Sequence, residues 1–134
     1  MRGTKLSAEQ AKFLQGRHFA MLATLNGNGT PQLTTVWYML DHGRLIINTK
    51  RGRQKFVNMT RDRRVALLID ADYQYLTVSG TAREATERDP YKDIESLAIR
   101  YNGEAKGRRQ ARQQFSKEPR VSFEIVPARV LSGL

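Results

Sequence analysis

Two turn signals in the first fifty residues, Asn26-Gly27-Asn28-Gly29 and Asp41-His42-Gly43, constrain the fold most. Asn-Gly between extended runs is the strongest short-range hairpin signal, because both residues tolerate positive φ. The runs on either side are His18–Leu25, Pro31–Leu40 and Arg44–Thr49, all rich in β-compatible side chains. Strands joined this tightly pair antiparallel, since a parallel crossover needs roughly a dozen residues or more. Further on, Val65–Asp70 is a continuous apolar run and is expected as a buried strand. Tyr75–Ala85 alternates around Gly80, which suggests a bulge or a close backbone approach. Val121–Arg129 sets Val121, Phe123 and Ile125 against Ser122 and Glu124 and is expected as the last strand.

Helices fill the remaining intervals. Ser7-x-x-Gln10 is a capping box that opens a helix to about Gln15. Gln54–Thr60 makes a short helix, with Phe56, Val57 and Met59 on its buried side. Asp89-Pro90 is an N-cap followed by proline, and Ile94, Leu97, Ala98 and Tyr101 then recur at helical spacing as far as Asn102. After Gly103 another helical piece runs to Phe115. The expected class is mainly β with peripheral helices: six antiparallel strands that can curl into a barrel, in a single domain over residues 1–134.

Composition narrows the function classes. No apolar run reaches the ~18–20 residues of a membrane span, and Met1-Arg2-Gly3-Thr4-Lys5 leads into a polar helix rather than an apolar signal core. With no cysteine there is neither a disulfide framework nor thiolate chemistry, and the expected location is the cytoplasm. The charge is +10, from 23 basic and 13 acidic residues, which draws polyanions or an anionic small molecule. It is clustered. Lys50, Arg51, Arg53, Lys55, Arg61, Arg63 and Arg64 share one segment with Asp62, and Lys106, Arg108, Arg109 and Arg112 form a second knot. Aromatic residues are few and dispersed, which disfavours a nucleic-acid-binding barrel.

Asn48-Thr49-Lys50-Arg51-Gly52-Arg53-Gln54-Lys55 is the informative constellation: a strand end, a glycine-containing loop and a helix start with arginine and lysine beside it. Free N–H groups at a helix start favour a phosphate, arginine grips its oxygens at two points and lysine adds a point charge. His18 and His42 have no cysteine, His-x-x-x-His or carboxylate cluster with them, so no metal site is expected. No triad or paired-carboxylate pattern is present, so no catalytic side chain is assigned and reactive atoms would belong to a cofactor. Trp37 is either a core residue or part of a cavity wall.

The segments Phe19–Leu25, Gly29–Leu33, Leu45–Thr49, Arg53–Asn58, Arg61–Arg64 and Ser79–Ala82 together resemble the pyridoxamine 5′-phosphate oxidase-like superfamily with its FMN-binding split β-barrel. Within it the chain is most similar to the F420-dependent flavin/deazaflavin oxidoreductases. The resemblance implies a homodimer with cofactor sites at its interface and no prominent catalytic residues. Arg53, Lys55 and Asn58 match positions serving the cofactor phosphate, with Thr49 and Lys50 beside them. Gln32 and the strand Thr35, Val36, Trp37 and Tyr38 match the edge against which the ring lies, and Tyr73 and Tyr75 match the region that the partner subunit offers to it. The arginine- and tryptophan-rich carboxyl-terminal signature of the oxidases themselves is absent from Val126–Leu134, which disfavours that activity. Lys50 and Arg51 add charge beyond one phosphate, which favours coenzyme F420, with its acidic tail, over FMN. The expected activity is hydride transfer from reduced F420 to an electron-poor conjugated small molecule. The alternatives are an FMN oxidoreductase of the same fold and a carrier that binds the cofactor without turnover.

Overall fold

A computed structural model describes residues 5–134; the expectation for the leading segment Met1–Thr4 lies outside the described residues. The helices are α1 (Ala8–Gln15), α2 (Gln54–Arg61), α3 (Pro90–Asn102) and α4 (Glu104–Gln113), with a 3₁₀ turn at Phe115–Lys117. The strands are β1 (Ala20–Leu25), β2 (Pro31–Val36), β3 (Met39–Asp41), β4 (Arg44–Lys50), β5 (Arg64–Ala71), β6 (Gln74–Glu84) and β7 (Arg120–Ser132). Caps form where the sequence places them. Ser7 and Gln10 make the reciprocal capping box of α1, and Asp89 accepts from the Tyr91 and Lys92 amides at the start of α3. No helix among the described residues is long and apolar enough to cross a membrane.

The sheet is antiparallel throughout and runs β2-β1-β5-β6-β7-β4-β3. It has seven strands rather than the expected six, because Pro31–Leu40 breaks in two. At the break Tyr38 leaves the ladder: its amide donates to the Tyr101 hydroxyl (3.2 Å), and its own hydroxyl donates to the Leu14 carbonyl (2.9 Å). The consequence is geometric. β2 and β3 are opposite edges of the sheet, yet only Trp37 and Tyr38 separate them. Three peptide steps span at most about 11 Å, so the two edges must meet here and the sheet must roll up. The roll is not closed by hydrogen bonds, since β2 and β3 do not pair with each other.

Inside the roll, Leu22, Tyr38, Leu45, Ile47, Leu67, Ile69, Leu76, Val78, Phe123 and Ile125 form the main core. A second cluster, Ile94, Leu97, Ala98, Tyr101 and Phe115, packs α3 and the 3₁₀ turn against Trp37 and Met39. Gly80 marks a register shift between β6 and β7, where an added Cβ would lie 2.0 Å from the Val126 carbonyl oxygen. Only glycine lets the strands approach so closely.

Two polar groups fix the joints. Arg100 of α3 donates to the carbonyls of Leu14 (3.2 Å), Gln15 (3.2 Å) and Gly16 (2.7 Å), satisfying the end of α1, and its guanidinium lies over the Tyr38 ring. Asn58 of α2 is fully buried. Its amide donates to Thr24 Oγ1 and Asn26 Oδ1 (both 3.0 Å) and its oxygen accepts from Gln54 (2.8 Å), so α2 is bolted to the β1–β2 hairpin.

Removing the Asn58 amide leaves buried partners unpaired, and Asn58→Ala should lower unfolding free energy by about 2–3 kcal/mol in a urea titration. Burial, with the neighbouring Tyr101 hydroxyl, pushes the Tyr38 phenol up to about 12, against the opposing pull of Arg100. The neutral form is thus favoured by folding. Its contribution is complete below about pH 10 and is lost as pH rises toward about 12. Stability should fall across that window, and Tyr38→Phe should flatten the fall; an equally steep alkaline limb in the variant would contradict the assignment.

Candidate functional site

The end of β4 delivers Asn48, Thr49 and Lys50 to one side of a surface cleft of about 230 Å³. Arg53 and Lys55 flank the start of α2, and Arg120 enters from the first position of β7, paired with Lys50 across the sheet. Thr35, Val36 and Trp37 form the opposite wall at the sheet break, and Ile94, Leu97 and Phe115 supply an apolar floor. The cleft is therefore lined by both cationic and apolar side chains.

Helix α2 begins without a side-chain cap, and its first turn contains no acid. Its leading N–H groups point their partial positive charge toward the same end as Arg53 and Lys55. Burial lowers the Lys55 pKa, and the charges of Arg53 and Arg120 lower it further. The Arg120 pKa is also lowered by burial, against the support of Glu118. Glu118 is the only acid ion-paired with these cations among the described residues, 3.0 Å from Arg120 and 3.9 Å from Lys50. Cations crowded with so little countercharge are stabilised by an incoming anion.

Of the residues singled out in the sequence, Thr35, Val36, Trp37, Thr49, Lys50, Arg53 and Lys55 come together in this cleft. The other five lie elsewhere in the chain. Gln32 sits on the edge strand opposite Thr24, and Tyr38 is buried under α1. The Asn58 side chain is spent on the hairpin. Tyr73 is fully exposed in the β5–β6 turn, and Tyr75 is half-exposed beside Asp70 on the neighbouring strand. Arg51 turns away from the cleft, bonded to Glu84 (2.8 Å) and lying over the Phe56 ring.

Arg120 is the residue that sequence reading missed, together with its hydrogen bond to Asn48 and the apolar residues Ile94, Leu97 and Phe115. No local pattern marks it; only the β4–β7 register carries it to Lys50. Trp37 resolves as both things at once: it lines the cleft and stacks on Tyr101 with ring centres 5.3 Å apart. His18 stacks on Phe13, and His42 is hydrogen-bonded to the adjacent Asp41 on the surface. Among the described residues no group of three or more His, Cys, Asp or Glu could hold a metal ion.

Comparison with known proteins agrees with this architecture. The sequence pattern of the family described as pyridoxamine 5′-phosphate oxidase matches residues 6–132. The chain is 34% identical over 96 residues to an F420H(2)-dependent biliverdin reductase of Mycobacterium tuberculosis (strain CDC 1551 / Oshkosh), covering 69% of each protein. Among solved structures it resembles the conserved hypothetical protein Rv2991 of Mycobacterium tuberculosis, with a TM-score of 0.78, 27% identity and coverage of 98% of this chain and 86% of that one. It also shares the fold of an F420 reductase, with a TM-score of 0.74, 24% identity and coverage of 94% and 98% respectively. A pattern matched along nearly the whole described chain, on a sheet of this topology, makes the protein a member of the pyridoxamine 5′-phosphate oxidase family.

Proposed function

We propose that the protein is an F420-dependent reductase that passes a hydride to an electron-poor conjugated small molecule. The observation that carries this is the meeting of Lys50, Arg53, Lys55 and Arg120 with an uncapped helix start beside an apolar wall. Such a cleft fits a flat, phosphorylated cofactor. Arg53, Lys55 and the leading amides of α2 would hold the phosphate, with Thr49 and Lys50 beside them. Thr35, Val36 and Trp37 would lie along the ring. The 34% identity to an F420H(2)-dependent enzyme supports the deazaflavin over FMN. When bound, reduced F420 supplies the hydride; the chain's own residues bind, orient and exclude water. Asn58 acts at one remove, by holding α2 in place.

A homodimer completes the site in this proposal. At about 230 Å³ the cleft is below the ~300–1,000 Å³ that encloses a drug-sized ligand. The outer sheet face carries Met21, Leu33, Leu68 and Leu131 at 40%, 61%, 42% and 49% exposure. Met21, Leu68 and Leu131 line up across the strands through Thr77, which makes a contiguous apolar face suited to a second copy. Tyr73 and Tyr75, remote from the cleft of their own protomer, would then meet the partner's ring.

Lys55→Ala should weaken F420 binding at least about tenfold, because a charge-assisted hydrogen bond is worth ~1.5–3 kcal/mol. Wild-type affinity should also fall as pH rises through the lowered Lys55 pKa, since the ammonium form is the one that binds. A fluorescence titration at several pH values measures both. Tight FMN binding with no F420 binding would overturn the deazaflavin assignment, and binding without reduction of any conjugated acceptor would leave a carrier. Leu68→Arg should convert the dimer to a monomer in sedimentation velocity and weaken F420 binding in parallel; a wild type that sediments as a monomer at all concentrations contradicts the shared site.

A further inference from the structure

We propose that Arg120 takes a second oxyanion, a carboxylate, separate from the phosphate at the start of α2. The inference rests on the cofactor assignment above for the first anion. Three sides of the Arg120 guanidinium are fixed. Nε donates to Asn48 Oδ1 (2.9 Å), Nη1 donates to Glu118 Oε1 (3.0 Å), and its face lies over the Phe115 ring, 5.1 Å from the centre. Nη2 makes no hydrogen bond to the described residues, although the side chain is only 10% exposed and lines the cleft. The Nη2 group of a guanidinium held in this way is left to donate a charge-assisted hydrogen bond to a carboxylate oxygen.

The support behind Arg120 is continuous and runs through the buried Ser122 and Asp93. Asn48 donates to the Pro90 carbonyl (2.9 Å) and to Ser122 Oγ (3.1 Å), and Ser122 donates to Asp93 Oδ2 (2.6 Å). Asp93 in turn accepts two bonds from Arg88, at 2.8 and 2.9 Å. An arginine held this way loses little freedom on binding, unlike one on an open surface. Charge balance points the same way. Lys50, Arg53, Lys55 and Arg120 line the cleft, and Glu118 compensates one of them. A phosphodiester offsets a single positive charge, so at least one further anion is called for. Asn48 is then a positioning residue, acting through Arg120.

The carboxylate can come from the glutamate tail of F420 or from the acceptor, and binding separates the two. F420, F420 trimmed of its glutamates, and FMN are titrated into wild type, Arg120→Lys, Lys55→Ala and Asn48→Ser. Cinnamate and methyl cinnamate are then titrated calorimetrically into the F420-loaded proteins. Arg120→Lys should weaken one carboxylate-bearing ligand about tenfold and leave FMN within about twofold. Selective loss on full-length F420 identifies the tail; selective loss on cinnamate over its ester identifies the acceptor. Asn48→Ser should show a smaller loss on the same ligand only, and it serves as the test if Arg120→Lys does not fold. Unchanged affinities in both variants, or losses equal for FMN and the carboxylates, overturn the inference while the cofactor assignment stands. A wild type that binds neither F420 nor FMN overturns both.

Discussion

Everything in this molecule is arranged around the two-residue link between opposite edges of one sheet. Val36 ends one edge strand and Met39 begins the other, and so short a chain forbids a flat sheet. The link is held rather than merely short. Tyr38 plugs the core beneath α1, its hydroxyl satisfies the Leu14 carbonyl, and Tyr101 of α3 both accepts from the Tyr38 amide and donates to the His18 carbonyl. Arg100 then covers the Tyr38 ring while closing the end of α1. One joint therefore sets the roll of the sheet, the seat of α1 and the seat of α3.

The cleft follows from that joint. Trp37 stacks on Tyr101, and α3 brings Ile94 and Leu97 beneath the wall that Thr35, Val36 and Trp37 form. On the other side, the β4–β7 register sets Arg120 against Lys50, while Asn58 fixes α2 so that Arg53 and Lys55 face the same space. The apolar lining is thus a product of the sheet roll, and the cationic lining a product of strand register and one buried amide. Partial burial of Lys55 and burial of Arg120, with Arg53 beside them, disfavour the charged forms of both, a cost that an anion in the cleft would offset.

Local signals carried most of the fold. Caps at Ser7 and Asp89 and the Asn26–Gly29 hairpin tip depend on neighbouring residues, and each appears where its chemistry places it; Gly80, whose close partner is Val126 on another strand, was marked by the glycine itself. The break at Trp37-Tyr38 was invisible, because nothing in Pro31–Leu40 interrupts a β pattern; tertiary burial of Tyr38 overrides it. Likewise the basic strand-loop-helix pattern at Asn48–Lys55 was legible as a local cluster, and its residues do line one cleft, whereas Arg120 is about seventy residues away and reaches that cleft only through sheet pairing. Arg51 shows the converse. Its position in the basic run matches its neighbours, but Glu84 and Phe56 claim its side chain.

The most direct test of the central claim is a crystal structure of the protein with F420 bound. The cofactor phosphate should lie within hydrogen-bond distance of Arg53 and Lys55, with the deazaflavin ring along Thr35, Val36 and Trp37. A cofactor seated instead in the groove beside Phe13, His18 and Asp72, with no anion at the start of α2, would contradict it.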